Sequence, residues 1–387
     1  MESARIIGLV AGILIVVLTI WSVFTSLVVP RASSSRLQMV VGRLIGDVAR
    51  WLVPKLPGYE TRDRLLTFVG PGTMVSLFGL WLGLLLLGFA LIEWWNSGID
   101  FASALAISGS SVFTLGIATA NDAGARTTEI LAAGFGLLVI ALEIAYLPAL
   151  YNAFANRETE VTLLATRSGT PAWGPEILAR HHWLDTMNEL PPLYAQWERW
   201  AAAVSESHAN YPALMWFRSP TPLRSWLLSL VAMMDSAALF HAASPDLTPR
   251  EARTCLQMGI NCLRSMADAL KIPFDPDPRP NASVRLPRAE FDQGIARLQA
   301  VGFPMERDAE ETWRHFRGWR VNYEGIVDAL SAQILPPPAP WFVPRPELGA
   351  TQFPTIYNRT PDEPEGAQVY GVNKTFKTPS DRESNNS

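Results

Sequence analysis

Charge is missing from long stretches of the first 155 residues. Residues 6–29, 65–92, 101–121 and 130–142 carry none. Cysteine is nearly absent. Cys255 and Cys262 are seven apart, about 10 Å along one helix face, too far for a disulfide within a helix. They read as buried thiols in a reducing cytoplasm. The five histidines, His181, His182, His208, His241 and His315, lack zinc-site spacing, and H-E-x-x-H does not occur, which argues against a metal site. No P-loop, G-x-G-x-x-G or G-x-S-x-G is present, so no enzyme is expected. Net charge is −4 and no run of basic residues occurs, which excludes a nucleic-acid partner.

The 49% hydrophobic content is an average over two unlike halves. The long apolar runs precede Ala155, while most of the 30 prolines follow it. The front half is expected in the lipid bilayer and the back half in water. Three runs are long enough to cross, which takes about 20 residues: Ile6 to Val29, Met74 to Ile92 and Thr128 to Phe154. The first is too long for a signal-peptide core and no clear cleavage site follows it. Trp94 and Trp95 suit the interface beyond the second run, and Pro71-Gly72 marks its start. The last turns of the third are expected to leave the membrane.

Basic residues set the orientation. Arg31, Arg36, Arg43, Arg50, Lys55, Arg62 and Arg64 lie between the first two runs, but only Arg126 between the second and third. Arg157, Arg167 and Arg180 follow the third. By the positive-inside rule the first loop and the C-terminal region face the cytoplasm. Leu37 to Val53 is amphipathic, as a helix lying on the inner surface would be.

The stretch DFASALAISGSSVFTLGIATANDAG, residues 100–124, reads differently. Residues 100–111 predict a helix of about three turns, too short to span, with Asp100 as N-cap. Uncharged backbone follows, containing Gly116. Such a segment is tolerable at membrane depth only when buried in protein or lining water. A short helix ending in mid-membrane turns its negative end toward a cavity, which favours a cation. Carbonyls repeated by symmetry, with the Thr114 hydroxyl, can replace an ion's hydration shell. One loop cannot close a ring, so an oligomer of four copies is expected.

The order helix, short helix, TLGIA, helix resembles the pore module of the potassium-channel superfamily. In that family a T-V-G-Y-G-D-like strand is the selectivity filter, so the resemblance implies Thr114, Leu115, Gly116, Ile117 and Ala118 as filter. It also implies a homotetramer in the inner (plasma) membrane, with a monovalent cation, potassium among the candidates, as permeant ion and no cofactor. The stretch IAYLPALYNAFANRETEVTLLATRSGTP resembles the end of the inner helix and start of the tail in bacterial potassium-channel-like proteins. In that group an extra preceding helix and a helical C-terminal domain recur. Three positions depart from the pattern. Ala118 stands where the family has its second glycine, and a positive φ there would cost about 1 kcal/mol. Ile117 replaces the bracing aromatic. Thr119 replaces the acid at the outer mouth, a place Asp122 can take in part.

Glu143 lies deep in the third run, where a carboxylate needs water or a partner. Four copies would form an acidic ring below the filter; a protonated Glu bonded between helices is the structural alternative. Gly134 and Gly136 read as a hinge or, more simply, as close packing. Pro148 should kink the helix near a gate.

The expected fold class is therefore an all-α membrane protein: three transmembrane helices, a re-entrant pore helix and filter loop, and an all-α cytoplasmic domain. The expected units are a first helix (1–30), an amphipathic linker (31–70), a pore module (71–155), a helical cytoplasmic domain (156–345) and a disordered tail (346–387). Candidate helices of the cytoplasmic part are Pro175–Met187, Pro192–His208, Ser225–Ala242, Thr248–Leu270, Arg288–Gly302 and Arg307–Gln333, with Thr248 as a cap. Ser225–Ala242 carries Asp235 at its centre and reads as a buried core helix rather than a fourth span. Residues 274–283 and 336–346 read as linkers. A non-conducting scaffold or sensor that keeps the pore fold is the alternative function.

Overall fold

A computed structural model describes residues 2–29, 36–120 and 123–342, with residues 357–358 and 367–368. Among these the chain is helical apart from one two-residue antiparallel pairing, Tyr357–Asn358 with Ala367–Gln368. That pairing falls within the tail expected to lack structure, whose other residues lie outside those described.

Among the described residues four helices are long and apolar enough to cross a membrane. Three of them, α1 (Glu2–Leu27), α4 (Val69–Asn96) and α6 (Ala123–Ser168), turn most of their apolar side chains outward, as a membrane protein does. Within their apolar windows only 33%, 33% and 22% of residues are buried. Glycine lets α1 and α4 touch: a Cβ on Gly12 would stand 2.6 Å from the Gly88 carbonyl oxygen. Trp81 Nε1 donates to Ser22 Oγ at 3.1 Å across the same contact. Arg5 ties the start of α1 to the chain just after α4, donating to the Gly98 carbonyl at 2.7 Å.

Between α1 and α4 run α2 (Arg36–Leu52) and α3 (Tyr59–Thr67). Val41 and Ala49 of α2 are buried, while Val40, Leu44, Val48 and Trp51 face outward. α5 (Phe101–Val112) follows α4. The C-terminal part packs α7 (Gly174–Trp183), α8 (Leu190–Asn210), α9 (Trp226–Ala243), α10 (Arg250–Leu270), α11 (Arg288–Ala300), α12 (Ala309–Arg320) and α13 (Glu324–Ile334) around one core. The fourth apolar helix, α9, is its centre: 94% of its residues are buried by protein side chains. Asp235 in α9 accepts from Arg320 at 2.7 Å and from Tyr323 at 2.6 Å, which removes the cost of an unpaired buried acid.

Several boundaries differ from those expected. α4 begins two residues before Pro71, which the first turn accommodates because no intrahelical bond needs its N–H. α6 extends to Ser168, so the division expected at 155 falls inside one helix of 46 residues, about 69 Å long. Its final turns stay helical because Val161 and Leu164 enter the C-terminal core. The span 307–333 is two helices, α12 and α13, joined through residues 321–323. Pro249, not Thr248, holds the N-cap position of α10; Thr248 Oγ1 instead donates to the Ser244 carbonyl. The segment 336–342 is no free linker, since Trp341 is buried and donates to the Glu290 carbonyl at 3.0 Å. Cys255 and Cys262 are buried free thiols on α10.

Candidate functional site

The candidate site is built where α5 ends between α4 and α6. Asp100 caps α5 by accepting from the Ser103 N–H at 3.0 Å. From there α5 descends beside α4. Its first residue, Phe101, meets Trp94 edge-on with ring centroids 6.1 Å apart. Two turns later Ser108 Oγ donates to the Leu86 carbonyl at 2.8 Å. Leu86 lies about 15 Å along the axis from Asn96. The end of α5 also touches α6: a Cβ on Gly136 would stand 2.1 Å from the Val112 carbonyl oxygen. Gly136 therefore lets the end of α5 pack closely against α6. Gly134 faces open space and meets nothing within 4 Å.

After Val112 the chain turns back. Thr114 and Leu115 N–H groups bond to Ser111 and Ser110 carbonyls at 2.9 and 2.7 Å. Ala118 N–H donates to Ser110 Oγ at 3.0 Å. Ala120 N–H donates to the Glu129 carboxylate near the start of α6. Asn96 Nδ2 donates to Thr128 Oγ1 at 2.8 Å, closing the ends of α4 and α6 together. The segment 113–120 is thus a loop that leaves the end of α5 beside Gly136 and comes back to Glu129 near the start of α6.

The conformation of Thr114 to Ala118 differs from what the glycine pattern implies. Positive φ occurs at Thr114 (+56°) and Gly116 (+68°), and Ala118 is not among the positive-φ residues. The Cβ penalty expected at Ala118 falls on Thr114 instead, because the left-handed residues are 114 and 116. Phe113 to Ile117 are exposed, Leu115 by 60% and Ile117 by 81%.

Glu143 sits seven residues beyond Gly136 on the same face of α6, about 10 Å further along the helix. Its Oε1 is buried and has no hydrogen-bond partner among the described residues. The helix continues through Pro148 in an exposed turn. Asp122, the expected acid of the outer mouth, lies outside the described residues. Among the described residues no group of three His, Cys, Asp or Glu is placed to hold a metal.

The composition gave no hint of the ties between this region and the C-terminal part. Arg157 Nη1 and Nη2 donate to the Leu214 and Phe217 carbonyls at 2.8 and 2.7 Å, and Nη1 to His208 Nε2 at 3.0 Å. Met74, Tyr146 and Leu150 pack with Ala213 and Leu214. The positive-inside rule counts Arg157 as a surface charge; here it is buried, paired with Glu158 beside it and cross-linked to partners 51 to 60 residues away. Comparison of the chain with protein families, curated proteins and solved structures returns no match.

Proposed function

We propose that the chain is one protomer of a homo-oligomeric cation channel of the potassium-channel type, with Thr114, Leu115, Gly116, Ile117 and Ala118 lining the narrowest part of a shared pore. In this reading α1, α4 and α6 cross the inner membrane, α5 and the loop after it form a re-entrant segment, and the C-terminal domain lies in the cytoplasm. A monovalent cation is the permeant species and four protomers close the ring.

The observation that carries the proposal is the descent of α5 to the level of Leu86 and Gly136 followed by an exposed return through residues 113–117. Polar backbone left exposed at that depth is tolerable only around water. The C-terminal end of α5 and the unpartnered Glu143 carboxyl both favour a cation along that axis. Purified protein in liposomes should pass potassium, and Gly116→Val should abolish the flux, since a β-branched residue is strained at φ +68°.

A second reading is a non-conducting scaffold or sensor. The exposure of Leu115 and Ile117 favours it, because large apolar side chains standing out from the loop suit a covering partner better than a water-filled pore. It predicts oligomers without flux, indifferent to Glu143→Gln.

A further inference from the structure

A cleft of about 700 Å³ opens between α2 and the C-terminal domain. One wall is α2; the other is formed by the 212–216 segment, the end of α10 and the end of α13. Its size is that of an ordinary ligand site. Three basic side chains line it, Arg43, Arg50 and Lys271, and one acid, Asp47, which pairs with Arg50. The excess is two positive charges. Trp216 and Ile272 supply an apolar floor.

The three faces of α2 say what kind of anion fits. Val41 and Ala49 are buried, while Val40, Leu44, Val48 and Trp51 form a continuous exposed apolar stripe. Arg43 and Arg50 lie at the border between that stripe and the cleft, next to Leu44 and Trp51 in the chain. An amphipathic helix with such a stripe rests in the headgroup region of a leaflet. A free phosphate would use the cations and leave the stripe uncovered. A phospholipid uses both: its phosphate meets the cations while its acyl chains run along the stripe.

We infer that this cleft holds the headgroup of an anionic phospholipid from the leaflet beside α2. The lipid bridges α2 to Lys271 of the C-terminal domain and so couples that domain to the membrane. The inference stands apart from ion conduction and holds for a scaffold as well as for a channel.

The test uses the full chain, delipidated in detergent, with bound lipid counted by native mass spectrometry. Phosphatidylglycerol, phosphatidylcholine and inorganic phosphate are the three probes. Phosphatidylglycerol should be retained at about tenfold lower concentration than phosphatidylcholine, and phosphate should not compete with it at equal concentration. Arg43→Gln with Lys271→Gln should weaken phosphatidylglycerol retention about tenfold or more, while Arg199→Gln, on the exposed face of α8, should not. Equal retention of the zwitterionic lipid, displacement by phosphate, or an unchanged double variant overturns the inference. Should the double variant not fold, raising salt on the unaltered protein decides: retention must fall, and salt-independent retention overturns the proposal.

Discussion

Arg218 Nε donates to Asp63 Oδ1 at 2.7 Å, joining residues 155 apart in the chain. The same guanidinium donates to the carbonyls of Ile334 and Leu335 at 3.1 and 2.8 Å and to Tyr59 at 3.1 Å. One side chain thus fastens α3, which leads into α4, to the end of α13. Both partners are nearly buried, so neither charge is left to water.

Arg218→Ala should therefore destabilise the protein by about 3 kcal/mol, since it leaves the nearly buried Asp63 carboxylate without a countercharge, held only by the Tyr59 hydroxyl. Thermal unfolding in detergent measures the loss. Asp63→Asn with Arg218→Ala should be less costly than the sum of the two single changes, because each already breaks the same pair.

Gly136 and Gly134 should respond in opposite ways. A methyl at Gly136 must displace the Val112 carbonyl at the end of α5, so Gly136→Ala should cost about 1–3 kcal/mol and disturb whatever the loop does. Gly134→Ala meets nothing and should leave stability unchanged or raise it by up to about 1 kcal/mol. Paired unfolding and flux measurements on the two variants separate packing from hinge roles.

Stability should fall as the medium becomes acidic. His208 is wholly buried, and burial, followed by the Arg157 charge, holds its pKa well below the ordinary histidine value. Burial lowers His181 and His241 as well. Each is neutral in the folded protein, whereas the unfolded chain takes up a proton near pH 6.5. Between the depressed folded value and 6.5 the unfolded state binds more protons, so stability is full above 6.5, declines as pH falls through that range, and levels off below the folded value. The unfolding midpoint should drop between pH 7 and pH 5, and His208→Gln should flatten the slope while still offering Arg157 an acceptor. An unchanged slope would remove His208 from the account.

The features legible in sequence were those set by local pattern. Asp100 before a short apolar run gave α5 and its cap, uncharged runs gave the apolar helices, and Asp235 inside an 18-residue run marked α9 as protein-covered. The features missed depend on residues distant in the chain. The hydrophilic end of α6 is helical because Val161 and Leu164 find a core, and Pro-rich 336–342 is ordered because Trp341 fills a space beside Gly294. Arg157 counts toward the positive-inside rule and Arg218 stands in no motif, since their carbonyl acceptors have no sequence signature. At the candidate site the residues were visible but their dihedrals were not. Counting glycines placed the strain at Ala118, while the hydrogen bonds to Ser110 and Ser111 place positive φ at Thr114.

Ile117→Cys in proteoliposomes tests the central claim most directly, because the native thiols Cys255 and Cys262 are buried and leave a quiet background. If the loop after α5 faces a shared aqueous axis, a membrane-impermeant thiol reagent added outside should modify residue 117 and stop cation flux. Flux that continues after complete modification, or a protein that passes no cation before it, would contradict the account.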